Sequence, residues 1–232
     1  MRVAIVENMK DTPLGQVGAA LAEAQAEITH FTPHAGNLLP SDPDAYDALV
    51  VLGGEQSALD DGAHPYLPDL ARLMHDFANA DRAVLGICLG AQILARGFGG
   101  RNILGAAPEF GWQGIALTSA GQLDPVLSAA GARFPIFQWH SDTFDLPAGA
   151  VHLARNGTVE NQAFRLGRAA YGMQFHFEAH RGIVADWSRA FPDAAHAMRP
   201  DWSDTHGRDA GRFADASDAA GLALARAWVA QI

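Results

Sequence analysis

The chain has 232 residues, 49% of them hydrophobic and 18% charged, which suits an ordinary globular protein with a full core. A formal charge of −10 argues against a nucleic-acid-binding surface, and a single cysteine excludes an internal disulfide. The apolar run at 3–6 is too short for a signal peptide and the uncharged run at 83–95 too short for a bilayer, so the chain reads as cytoplasmic with no membrane partner.

In chain order, 3–6 reads as a buried opening strand and 14–26 as a helix, with Leu14, Val17 and Leu21 at helical spacing. Residues 28–31 suit a second strand, and 33–43, rich in Pro, Gly, Asn and Asp, a surface loop. A β-branched run at 46–52 stops at Gly53-Gly54. A helix at 65–80 aligns Leu67, Leu70, Leu73, Met74 and Phe77. Residues 82–87 are another buried strand, and a helix-favouring segment follows at once. This alternation predicts an α/β fold with a mostly parallel sheet and helices on both faces.

After Gly97-Phe98-Gly99-Gly100 the texture changes. Short strand candidates at 114–118, 135–139, 151–154, 162–165 and 169–177 predict an antiparallel extension of the sheet. Residues 184–191 read as helix, 192–218 as polar surface structure with few large apolar groups, and 221–232 as a final alanine-rich helix. No repeat and no long linker divides residues 1–232, which predicts a single domain.

The lone cysteine sits in Gly86-x-Cys88-x-Gly90 at a strand-to-helix turn. Most free cysteines are inert core thiols. Here the sharp turn matches a nucleophile elbow, the flanking glycines let the helix pack back on the strand, and the positive helix end favours an anion. Far along the chain stands Gln174-Phe175-His176-Phe177-Glu178. Residues two apart on a strand share a face, so His176 and Glu178 can stand together with Phe175 and Phe177 opposite. An isolated H-x-E is more often a structural pair. Combined with the elbow it supplies base and orienter for Cys88 as nucleophile.

These motifs identify a resemblance to the class I, or triad, glutamine amidotransferases, in particular stand-alone members similar to the amidotransferase domain of GMP synthetase. It is carried by Leu52-Gly53-Gly54, Gly86-Ile87-Cys88-Leu89-Gly90-Ala91-Gln92, Glu109-Phe110-Gly111-Trp112, Trp139-His140-Ser141-Asp142-Thr143, Asn161-Gln162-Ala163-Phe164-Arg165 and Gln174-Phe175-His176-Phe177-Glu178, across roughly 45–180. The resemblance implies a flavodoxin-like core and a Cys88–His176–Glu178 triad that hydrolyses the glutamine side-chain amide through a γ-glutamyl thioester. It implies an oxyanion hole from the backbone N–H groups of Gly54 and Leu89, and substrate contacts from Gly53, Gln92, His140, Ser141 and Asp142. Glu109 to Trp112 would shape the pocket wall. No cofactor is implied.

Two positions depart from the family pattern: Phe177 and Glu55 stand where relatives usually have proline. His196, Asp201, Asp204 and His206 lack the spacing of a metal motif and read as solvated surface. No phosphate-binding G-x-x-x-x-G-K-[ST] loop is present. The ammonia acceptor would then lie on a separate acceptor or synthetase subunit. The alternatives are a stand-alone hydrolase of γ-glutamyl peptides and a non-catalytic binding or regulatory protein.

Overall fold

The computed structural model describes residues 1–232. Its centre is a nine-stranded sheet built from β1 (Arg2–Val6), β2 (Glu27–Phe31), β3 (Ala48–Val51), β4 (Ala83–Ile87), β6 (Glu109–Leu117), β7 (Arg133–His140), β9 (Val151–Arg155), β10 (Ala163–Leu166) and β11 (Ala170–Met173). The order across the sheet is β2-β1-β3-β4-β11-β10-β9-β6-β7. The first five strands are parallel, and β10, β9, β6 and β7 extend them antiparallel. This is the flavodoxin-like order with its antiparallel extension. A two-stranded ribbon, β5 (Asn102–Ile103) with β8 (Thr143–Phe144), stands apart.

Strand alternation divides the core. Val3, Ile5, Val50, Leu85 and Ile87 pack with α1 (Gly15–Glu23) and the end of α7 (Trp202–Val229). Ala4, Val6, Leu49, Val51 and Val84 pack with α2 (Leu67–Asn79) and α3 (Leu89–Gly97) on the other face. The five apolar side chains predicted along α2 are all buried. A short α4 (Ser119–Leu123) follows β6, capped by the Thr118 hydroxyl, which accepts the Gly121 N–H. A third, aromatic cluster lies between β6, β7, α5 (Arg181–Ala190), α6 (Pro192–Met198) and the start of α7. No helix is long and apolar enough to cross a membrane.

The segment expected to be surface structure, 192–218, is helical instead, and α7 begins at Trp202 rather than near Gly221. Its buried stripe includes Trp202, Thr205, Ala214, Ser217, Gly221, Leu224, Ala225 and Trp228. Small residues at three- and four-residue spacing let this helix lie close on its neighbours, and a reading weighted to large apolar groups passes over them. The last strand is also shorter than expected. β11 ends at Met173, so the H-x-E segment runs beyond the sheet, tied back by a bridge between His176 and Phe137.

Candidate active site

Parallel strands end on a common edge, and in open α/β sheets ligand crevices form outside those ends, where the strand order reverses. The segments following β1, β3, β4 and β11 meet there around a cleft of about 300 Å³. Cys88, His176, Glu178, Gly53, Gly54, Leu89, Gln92, His140, Ser141 and Asp142 all line it.

Cys88 joins β4 to α3 with φ 52° and ψ −108°, a left-handed backbone that a side chain rarely adopts. The turn is tight because its glycines permit it. A methyl group on Gly86 would lie 2.3 Å from the Gly90 carbonyl oxygen, and one on Gly90 would lie 2.1 Å from that of Val51. Cys88 is buried, and its sulfhydryl donates to the Trp139 carbonyl at 3.7 Å.

His176 Nδ1 is 2.7 Å from Glu178 Oε1, and the His176 main-chain N–H donates to the Phe137 carbonyl at 2.9 Å. Burial opposes a charge on the ring. The Glu178 carboxylate and the neighbouring Cys88 sulfur more than offset it and hold His176 well above the ordinary histidine value. The Trp187 ring meets the imidazole edge-on at 5.2 Å. Gly53 fits against the same pair: a methyl there would lie 3.2 Å from His176 Cε1 and 3.6 Å from Cys88 Cβ.

Gly54 packs against Leu89, and no protein carbonyl accepts the N–H of either residue. Both face the cleft beside Cys88. Gln92 is buried rather than solvent-facing. Its Nε2 donates to the Asp142 carbonyl at 3.3 Å and to Gln174 Oε1 at 3.2 Å, and no protein donor takes its Oε1.

The His140-Ser141-Asp142 turn lines the cleft, but its imidazole is committed inward. His140 Nδ1 donates to the Asp142 carbonyl at 3.0 Å, and Nε2 lies 3.2 Å from Glu109 Oε2. Glu109 also accepts from Asn156 Nδ2 and Gln162 Nε2, so it braces this turn from below and does not border the cleft. Asp142 Oδ1 accepts the Gly105 N–H at 2.7 Å, which leaves Ser141 the most exposed member of the turn.

The far wall is apolar, formed by Trp139, Trp187, Phe191, Ala194 and Met198, while Met9, Asp11 and Thr12 close the β1 side. Trp187, Phe191, Ala194 and Met198 lie outside every sequence motif. The position of 9–12 directly after β1 is the one signal that could have placed that loop here. Glu55 is an exposed rim residue, whereas Phe177 is fully buried on the α1 side of the sheet. His196, Asp201, Asp204 and His206 do not converge, and nowhere do three His, Cys, Asp or Glu side chains group as metal ligands.

A cysteine elbow and a His–Glu pair share one cleft on the carboxyl edge of a flavodoxin-like sheet, which defines an α/β protein with its candidate site at the sheet's switch point. Comparison with known proteins specifies it further. Residues 15–184 match the model of the family described as glutamine amidotransferase class-I, and the chain belongs to that family, whose chemistry is glutamine amide hydrolysis. The glutamine amidotransferase-like protein YfeJ of Salmonella typhimurium is 32% identical over 168 residues, covering 69% of this chain and 70% of that one. One subunit of the glutamine-hydrolyzing GMP synthase of Methanococcoides burtonii is 28% identical over 158 residues, covering 67% and 75%. The crystal structure of a glutamine amidotransferase from Thermotoga maritima superposes with a TM-score of 0.85 at 26% identity, covering 98% of each chain.

Proposed function

We propose that this single-domain chain hydrolyses the side-chain amide of glutamine with Cys88 as nucleophile, His176 as proton carrier and Glu178 as the group that orients the imidazole. The observation that supports this best is the gathering in one cleft of Cys88, His176 and a carboxylate 2.7 Å behind the ring. The sulfur of Cys88, having given up its proton to His176, adds to the amide carbon. The oxyanion so formed is met by the unclaimed N–H groups of Gly54 and Leu89. His176 passes the proton to the departing nitrogen, ammonia leaves, and the γ-glutamyl group remains on sulfur as a thioester. Water then adds to the thioester as His176 takes its proton, and glutamate departs from a regenerated thiol.

Substrate recognition falls to Gly53, whose missing side chain opens the floor, and to Gln92, whose free Oε1 suits an N–H donor. The Ser141-Asp142 turn, with His140 beneath it, holds the amino-acid end. The relative that forms one subunit of a GMP synthase suggests that ammonia passes to an acceptor on a separate synthetase subunit. A cytoplasmic location belongs to the same reading.

Ammonia release from glutamine by the purified protein, set beside γ-glutamyl dipeptides and repeated with candidate synthetase subunits, tests the proposal. Glutamine turnover that rises with a synthetase partner supports it. Brisk peptide cleavage with negligible glutamine turnover contradicts it in favour of a γ-glutamyl hydrolase, and inertness throughout in favour of a binding or regulatory protein.

A further inference from the structure

The His176–Glu178 pair is carried by irregular chain, because β11 ends at Met173 and the strand ladder stops there. The residue between the two is Phe177, whose backbone lacks the fixed φ that proline supplies. The bridge to Phe137 holds the backbone at His176, and the stretch from Phe177 to Glu178 needs contacts of its own, since a misaimed carboxylate cannot orient the ring.

The contacts on Phe177 and Glu178 come from both ends of the chain. The main-chain N–H of Gln16 donates to the Glu178 carbonyl at 2.9 Å, and its side-chain Nε2 donates to the Phe177 carbonyl at 3.4 Å. Gln16 is itself buried in the first turn of α1. Gly15, at φ +50°, brings the backbone so close that a methyl group there would lie 2.0 Å from the Glu178 carbonyl oxygen. Across the segment, Gly221 of α7 forms a notch. A methyl on it would lie 2.3 Å from the Phe177 carbonyl oxygen and 2.4 Å from Gln16 Nε2. Two successive carbonyls are thus gripped by one residue, and a mid-helix glycine makes room for the grip.

We propose that Gln16 is a positioning residue, which with the Gly221 notch sets the aim of Glu178 at the His176 ring. It touches no reacting atom, and the inference rests on the reading of His176 as proton carrier. Small shifts in such a supporting shell are felt at the reacting centre because the carboxylate must stay within hydrogen-bond reach of Nδ1.

Two variants test it. Gln16→Met keeps the length and burial of the side chain and removes the amide. Gly221→Ala leaves Gln16 in place and presses on the Phe177 carbonyl, while alanine itself favours the helix. For both, kcat for ammonia release from glutamine is expected to fall about ten-fold or more, with KM changed by less than about two-fold. The NMR titration of the His176 ring, read without substrate, should move down toward the ordinary histidine value as Glu178 loosens.

Unchanged kcat in both variants, or a fall in kcat with the His176 titration unmoved, overturns the proposal. Should Gln16→Met fail to fold, Gly221→Ala decides alone. A wild-type protein that releases no ammonia contradicts the proposed function instead, and the substrate-free titration still decides whether Gln16 positions the pair.

Discussion

Nδ1 of His176 lies 2.7 Å from Oε1 of Glu178, with both side chains almost wholly withdrawn from water. The carboxylate, helped by the Cys88 sulfur, outweighs the cost of burial and holds the imidazole well above its ordinary value. A group whose native pKa is raised stabilises the fold below its unfolded value and loses that contribution as pH rises through the native one. The contribution of His176 should therefore be complete below about pH 6.5 and decline above it, by at most about 1.4 kcal/mol per pH unit. Urea unfolding at stepped pH checks this. The decline should be present in the wild type and flattened in Glu178→Gln.

The elbow itself should resist any added side chain. Gly86→Ala would drive a methyl to 2.3 Å from the Gly90 carbonyl oxygen, and backbone cannot yield as a flexible side chain can. Destabilisation of about 1–3 kcal/mol or more is expected from such overpacking, read as a lower urea midpoint. Because the same turn raises Cys88, ammonia release should fall even where the variant remains folded.

Glu109 accepts from Asn156 and Gln162 and lies beside His140, all inside the protein. Glu109→Gln places an amide donor among groups that need an acceptor, at an expected cost of about 1–3 kcal/mol. The Ser141-Asp142 turn rests on that network through His140. KM for glutamine should rise more than kcat falls, which steady-state kinetics beside thermal melts would show.

Asp124 gives a contrasting case. Its buried carboxylate accepts from the main-chain N–H groups of Val126 and Leu127, from Arg165 Nε at 3.0 Å and from the Tyr171 hydroxyl at 3.3 Å. Burial and this carboxylate hold the Tyr171 phenol well above its usual range. Asp124→Ala should cost about 1–3 kcal/mol or more by leaving the Val126 and Leu127 N–H groups and the Tyr171 hydroxyl without their buried acceptor. It lies outside the cleft, so kcat and KM measured well below the melting temperature should match the wild type.

What the sequence disclosed and what it withheld divide along the range of the contacts. The Cys88 elbow is legible because its glycines answer a local need, a helix folding back on its own strand. The parallel half of the sheet is legible for a similar reason, since residues 3–6 of β1 and all of β3 and β4 are apolar and buried. The start of α7 is not, because Ala214 and Ser217 identify a buried face only once their neighbours are in place. His140 illustrates the same limit within the site. It lines the cleft, yet both ring nitrogens turn to protein partners, one of them Glu109, which stands 31 residues earlier and across from it on the adjoining strand. Gln16 is further removed still, reaching Phe177 across 161 positions.

The central claim, that Cys88 carries the γ-glutamyl group during turnover, is tested most directly by intact-mass analysis of protein acid-quenched while hydrolysing glutamine. The account predicts a mass gain equal to glutamine less ammonia, located on Cys88 by peptide mapping and absent from Cys88→Ala. Continued ammonia release by Cys88→Ala, or turnover with the label on any other residue, would contradict it.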